Sequence, residues 1–369
     1  MNIFKTGVRF LCLMLAFAML VPAAGCGFID IDKRFFVVAI AIDKSGNEKK
    51  PYRVTIRLSI PSSKTEPGME KSQIETIDAK EISEGLRILK SHVDKEIDLG
   101  HCKVFVLGDE LARDDITAAT EWMIRRRDIQ SSAFVAVGYP DGMSILKKMP
   151  LSERYSGNTL FLTFGSDGTK SSFIRPEKLF DLFRRINEHG MDPYLPLIRV
   201  SKNGYEVDQL NLLDKKRIRL LLSADETQLF NQIDKETINS TFKTTYKDNS
   251  VMLAVTDLRV QYKIQRLPDG RGKLSMHIHI GGTIEEGPND ILSQHSEEVE
   301  RKLAQDVEKN TVKLLKRIQR AGVDPLHFGL RYRATHKSST AFEEWQELYP
   351  TMQFDVHSTV HIQSAGRIH

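Results

Sequence analysis

The stretch SEEVERKLAQDVEKNTVKLLKRIQRAG, residues 296–322, constrains the fold more than any other. Val299, Leu303, Val307, Leu314, Leu315 and Ile318 fall on one stripe of an α-helix. Glu297, Glu298 and Glu300 crowd its start, and Lys313, Lys316, Arg317 and Arg320 its end, the order that complements the helix dipole. Gly322 supplies the stop. A helix of that length spans about 40 Å at 1.5 Å per residue, and its apolar stripe needs a sheet to cover it.

Strand patterns supply the sheets. YRVTIRLSI (52–60) alternates strictly, with Tyr52, Val54, Ile56, Leu58 and Ile60 on one face, as a strand with one wet face does. FFVVAIAID (35–43) is continuously apolar and reads as a buried strand beside it. PSSKTEPGMEKSQ (61–73) reads as a polar loop. Ile82, Leu86, Leu89 and Val93 mark a helix, KVFVLG (103–108) a core strand, and Ile116, Ala119, Trp122 and Met123 a second helix ending in Arg125–Arg127. SAFVAVG (132–138) is another strand, TLFLTF (159–164) a possible one, and Leu179, Leu182, Phe183 and Ile186 a helix with Pro176 at its start. Gly and Pro breakers make 190–217 a seam, with a domain boundary expected near residue 200. Beyond it come RIRLLL (217–222), a helix at TQLFNQI and strands at 252–264 and 273–282 around a Pro268-Asp269-Gly270 turn. The long helix follows, then a short helix at FEEWQELYP and a last strand, FDVHSTVHIQS. The expectation is an α+β protein of several domains, its sheets packed with amphipathic helices: residues 1–25 a leader, 26–200 an N-terminal domain of one or two parts, 201–369 a C-terminal domain.

The chain opens differently. Lys5 and Arg9 precede an uncharged run, FLCLMLAFAMLV (10–21), too short to span a bilayer and shaped like a secretory signal. It ends in Ala23-Ala24-Gly25-Cys26, which resembles the lipobox of bacterial lipoproteins, with Ala23 where Leu is usual. There the Cys becomes the N-terminus and carries a diacylglycerol on its thiol and an acyl chain on its amine. At about 0.8 kcal/mol per buried methylene, more than one acyl chain anchors stably. No other cofactor is expected. Cys12 leaves with the leader, so Cys102 stands alone and no internal disulfide forms. The net charge of +4 loses two units with Lys5 and Arg9, which leaves no reason to expect nucleic acid as a partner.

Sites for chemistry are few. GSDGTKSS (165–172) lacks the Gly-Lys-Ser/Thr of a P-loop and reads as a surface loop. His277 and His279 share one strand face, His357 and His361 another, without metal-ligand spacing, so they read as wet-face histidines. Cys102, beside His101, enters an apolar strand and suits an inert thiol. Arg125–Arg127 reads as a solvated face. The expected absence of a catalytic constellation and of a metal site argues against an enzyme.

Three stretches, the lipobox, DLGHCKVFVLGDELAR (98–113) and AGVDPLHFGLRYR (321–333), together resemble the Ger(x)C spore germination lipoproteins, the C subunits of GerA-type nutrient germinant receptors. Trp345 and Pro350 before the last strand fit as well. The middle segment, 205–227, departs from the family pattern by lacking its small residues. The resemblance implies a lipid-anchored, non-catalytic subunit on the outer face of the spore inner membrane of an endospore-forming bacterium. There it assembles with integral-membrane A and B subunits to start germination. The motif residues Gly100, His101, Asp324, Pro325, Phe328 and Gly329 read as architectural. His101 is expected to cap a turn, Asp324 to N-cap a helix starting at Pro325, Phe328 to pack, and Gly329 to allow close backbone approach. A solute-binding lipoprotein of a transporter is the alternative; it predicts a cleft between two lobes of similar topology. A cell-surface hydrolase is a third.

Overall fold

The computed structural model describes residues 33–60, 71–153, 157–165, 167, 168, 170–288, 295–336 and 338–365, with Gly7 and Met14. Ala23, Ala24, Gly25 and Cys26 lie outside the described residues.

The first sheet has nine described strands: β1 (Arg34–Lys44), β2 (Tyr52–Ile60), β3 (Lys71–Ala79), β4 (Glu96–Asp98), β5 (Val104–Gly108), β6 (Phe134–Tyr139), β7 (Tyr194–Val200), β8 (Tyr205–Leu213) and β9 (Ile218–Leu222). Their order is β3-β2-β1-β5-β6-β7-β8-β9, with β4 against β1. β1, β5, β6 and β7 run parallel, in register Ala39↔Val104 and Val104↔Phe134, and antiparallel strands flank them. The parallel centre is buried on both faces, which is why β1, β5 and β6 read as unbroken apolar runs rather than alternating ones. One face carries α1 (Ile82–Leu89), α2 (Asp109–Asp114), α3 (Thr117–Arg125) and α6 (Leu179–Asn187). The other carries α4 (Gly142–Lys147) and α5 (Asn158–Phe164).

The second sheet is β10 (Thr241–Tyr246), β11 (Asn249–Arg266), β12 (Gly272–Glu286) and β13 (Gln353–Ala365), in that order. α8 (Ser296–Arg320) covers it with the predicted stripe plus Thr311, which fills the one gap in the apolar period. α7 (Ala224–Lys235) begins with a capping box, Ser223 with Glu226. α9 (Phe328–Thr335) and α10 (Ala341–Leu348) close one end. Tyr194, Leu210, Leu212 and Leu222 of the first sheet belong to the same hydrophobic cluster as α8 and β10–β13, so the two sheets share a core.

Several expectations are corrected. TLFLTF is helix α5: Gly157 (φ 76°) turns the chain into it, and Leu160 and Phe164, four apart, are its buried pair. The polar stretch assigned to loop 61–73 already holds the start of β3 at Lys71, while 61–70 lie outside the described residues. The stretch 190–217, read as irregular, contains β7 and β8, Pro196 included, joined by a hairpin. Pro176 stands three residues before α6 begins. TFKTTY, too polar to stand out, forms β10.

Candidate functional site: a buried charge junction

The densest cluster of buried charge lies where α6 and β7 of the first sheet meet α7 and the turn before α9. α6 buries Leu179 and Leu182 and, on the same side, a charge. Arg185 falls on its apolar stripe, three residues after Leu182, and is only 3% exposed. Its guanidinium lies against the Tyr194 ring, 4.2 Å from the centroid, and donates to Tyr194 Oη at 3.0 Å. It also donates to the Pro325 carbonyl at 3.4 Å and to His327 Nδ1 at 3.3 Å. Glu177 Oε1 stands 2.9 Å from Arg185 Nε, but neither atom is hydrogen-bonded; the contact is one of charge alone. Burial therefore pushes Glu177 up to about 7, against the pull of Arg185. Arg175 also donates to Tyr194 Oη, at 2.8 Å, and pairs with Asp234 of α7. Asp234 Oδ1 is 3.6 Å from His327 Nε2. Burial, helped by Arg185, holds His327 down at about 4, so its ring is neutral at neutral pH. Arg185 lies against both ring nitrogens, 3.3 Å from Nδ1 and 3.4 Å from Nε2.

The Asp-Pro-Leu-His-Phe-Gly motif is the other half of the junction. Asp324 is buried, and its carboxylate accepts from Phe328 N at 3.0 Å and Gly329 N at 2.6 Å. It does cap a helix, yet not as the N-cap before Pro325. α9 begins three residues later, at Phe328, and the N-cap position belongs to His327 in left-handed backbone (φ 62°). Burial raises Asp324 to about 7 despite the two N–H donors. Asp192 and Asp324 exchange bonds: Asp192 N donates to Asp324 O at 2.9 Å, and Asp192 Oδ2 accepts from Asp324 N at 2.7 Å. Lys215 Nζ donates to the carbonyls of Arg185, Glu188 and Met191, meeting acceptors that the end of α6 leaves over. Phe328 packs edge-on against Tyr262, 5.1 Å between centroids, and Gly329 lies against Gly190. The motif is a clamp that fastens the α6–β7 connection to the second sheet, and its charges are spent on one another.

Gly100 and His101 sit elsewhere, at the entrance to β5. The turn there is capped by Asp98, whose Oδ1 accepts from Gly100 N at 2.8 Å; a Cβ at Gly100 would come within 3.0 Å of that oxygen. His101 does not cap it: the exposed ring lies edge-on to Phe36, 4.5 Å between centroids, and 3.7 Å from Asp98. Cys102 is fully buried and its thiol is pushed up to about 12 by burial. Arg125 pairs with Glu121 and Arg126 with Asp128. His277 and His357 meet across β12 and β13 at 5.6 Å, both exposed, with His279 opposite Thr359 and His361 opposite Gly281. Among the described residues no group of three or more His, Cys, Asp or Glu could hold a metal. Arg175, Glu177, Arg185, Tyr194, Lys215 and Asp234 escaped the sequence reading because no spacing links them. The one available signal was an arginine on the apolar stripe of α6.

A two-sheet α+β chain whose halves are joined by a buried charge clamp matches known proteins over nearly its whole length. Residues 28–200 match the spore germination protein N-terminal domain, and residues 208–366 the spore germination B3/GerAC-like C-terminal domain. The chain belongs to this GerAC-like spore germination family. It is 22% identical to YfkR of Bacillus subtilis (strain 168), a protein named for spore germination, over 91% of both chains. It is 21% identical to the spore germination protein GerQC of Bacillus cereus, over 73% of this chain and 76% of that one. The crystal structure of the GerBC protein has the same fold, with a TM-score of 0.57 at 16% identity, covering 88% of this chain and 96% of that one.

Proposed function

We propose that the protein is the lipid-anchored, non-catalytic subunit of a spore nutrient germinant receptor, acting in the initiation of germination. The observation that carries this reading is an arrangement in the chain. Two spore germination domains fill residues 28–366 in order, and a signal-like leader ends at Cys26, two residues before the first begins. Acyl chains on Cys26 would then tether the folded part to the outer face of the spore inner membrane, beside integral-membrane A and B subunits. Among the described residues no helix is long and apolar enough to cross a membrane. The buried clamp fits a scaffolding role, since Arg175 pairs with Asp234 and Arg185 with Glu177 across the junction. Radiolabelled palmitate should enter the wild type and not Cys26→Ala; equal labelling of both rejects the anchor. Deleting the gene should abolish the response to one class of nutrient, and an unchanged response to every nutrient rejects the receptor role.

A further inference from the structure

The chain enters the first sheet at one defined end. β1 begins at Arg34, and the neighbouring parallel strands β5 and β6 begin at the same end, Lys103 N donating to Val38 O at 3.1 Å and Phe134 N to Lys103 O at 2.8 Å. Only six residues separate Cys26 from Lys33, seven Cα steps and a reach of about 25 Å fully extended. On the reading that Cys26 is acylated, the start of β1 therefore stays within that distance of the bilayer surface, and the starts of β5 and β6, level with Ala39, lie five residues, about 17 Å, further along the sheet.

The same end carries an apolar surface mixed with lysines. A cleft of about 670 Å³ opens beside the start of β6, where Phe134 packs against Phe161 and Phe164 of α5, with ring centroids 6.1 and 5.6 Å apart. Phe180 forms its rim, held there by its backbone N–H on the Ser131 carbonyl at 3.0 Å, with its side chain out in solvent. Phe183, one turn on along α6, and Leu162 of α5 are exposed as well. Lys103 Nζ lies 6.0 Å from the Phe161 centroid and donates to Gln130 Oε1 at 2.9 Å, and Lys178 Nζ lies 5.9 Å from the Phe180 centroid, so both ammonium groups sit at the rim beside the rings. Asp167 and Asp181 also line the cleft, and Asp181 is occupied by Arg184 at 2.9 Å. Exposed phenylalanines beside lysines are what a bilayer's headgroup layer takes up: rings at the apolar boundary, ammonium groups on lipid phosphates.

We propose that this end of the first sheet, with Phe180 at its rim and Lys103 and Lys178 beside it, is the face by which the folded part rests on an anionic bilayer. The tether and the face then act together, fixing the orientation of the whole molecule and turning the opposite end of the sheet, where Tyr139 is exposed, away from the lipid. The inference rests on the anchor reading and is tested so that the two fail separately.

Acylated full-length Phe180→Trp and Tyr139→Trp are placed in phosphatidylglycerol-rich vesicles, with brominated lipid as the quencher. Trp122 and Trp345 are buried, so the new indole is read as the difference from wild-type emission, and the far-ultraviolet circular dichroism of each variant reports that it is folded. The new indole of Phe180→Trp should shift to the blue and be quenched about twofold, as a ring at headgroup depth is, while that of Tyr139→Trp should not. Adding Lys103→Glu and Lys178→Glu to Phe180→Trp should reduce the quenching, and so should replacing phosphatidylglycerol by phosphatidylcholine. If the chain takes up palmitate but Phe180→Trp is quenched no more than Tyr139→Trp, the docking face is wrong and the anchor stands. If the chain takes up no palmitate, the anchor itself is wrong.

Discussion

Gly190 and Gly329 lie backbone to backbone across the junction. A Cβ on Gly190 would sit 2.6 Å from Gly329 C and Leu330 N; one on Gly329 would sit 2.4 Å from Trp345 Nε1 and 2.8 Å from Gly190 Cα. Gly190 also holds φ at 84° and accepts from Leu330 N at 2.8 Å. Gly322 gives the comparison that separates the two costs, since its φ is 72° but its Cβ would meet nothing. Gly322→Ala should therefore lose about 1 kcal/mol, the left-handed strain alone. Gly190→Ala and Gly329→Ala should each lose about 3 kcal/mol, because neither neighbouring backbone nor a packed indole yields cheaply. Urea midpoints of the three variants check this, and equal losses at Gly190 and Gly322 would refute the close-approach argument.

His327 should make stability depend on pH. Its folded value is near 4 and its unfolded value near 6.5. Between these values the unfolded chain binds a proton that the folded chain refuses, so stability present at neutral pH is lost as pH falls from 6.5 toward 4. Glu177 and Asp324, both raised, act in the opposite sense over the same range, gaining stability as pH falls. The His327 contribution is therefore read as a difference from His327→Asn, a residue that tolerates the same left-handed backbone. From pH 7 to 4.5 the wild type should lose about 2 kcal/mol relative to that variant. Parallel pH profiles of the two would show that the ring is not held neutral.

Arg175 and Asp234 are each under a tenth exposed in their side chains, so the worth of the pair shows only when one partner goes missing. Asp234→Ala strands a buried guanidinium beside Tyr194 and should cost about 3–5 kcal/mol. Arg175→Met with Asp234→Leu removes both charges and should recover much of that loss, with a coupling energy of about 1–3 kcal/mol in the double-mutant cycle. Strict additivity would mean the pair does not interact.

The parts of the fold that the sequence displayed are those with one dominant period. α8 kept its whole predicted stripe, and β1, β2, β5, β6, β11 and β12 appeared where apolar runs or alternation placed them. The face of β2 expected to be wet is buried, however, with Thr55, Arg57 and Ser59 all inside and Arg57 paired with Glu153. β3 and β10 did not stand out, because an edge strand buries little and can be built from Lys, Thr and Gln. α5 was misread because six apolar or β-branched residues suit either period, and only the glycines around it decide. The motif residues around Asp324 were visible as a local pattern, but their partners were not. Arg185 meets Pro325 across a separation of 140 residues, and Asp192 meets Asp324 across 132. No local spacing encodes such contacts.

Cys102 supplies a probe of how tightly the first sheet is closed. In residues 27–369 it is the one cysteine remaining of the chain's three. Its side chain is fully buried where the chain enters β5, with Sγ donating to Val104 O at 3.6 Å. The thiolate is the reactive form. With the thiol raised to about 12, very little of it is ionised at pH 8, and the surrounding core excludes a bulky disulfide reagent. Folded protein should therefore release almost no thionitrobenzoate, and one equivalent should appear only through the urea transition. Cys102 joins the same core as β1, β5 and α3, so native-state labelling should slow in proportion to global stability. Gly190→Ala, placed at the junction instead, should speed labelling only as far as it lowers that stability. Rapid labelling of the native chain at pH 8 would show that the strand entrance opens on its own.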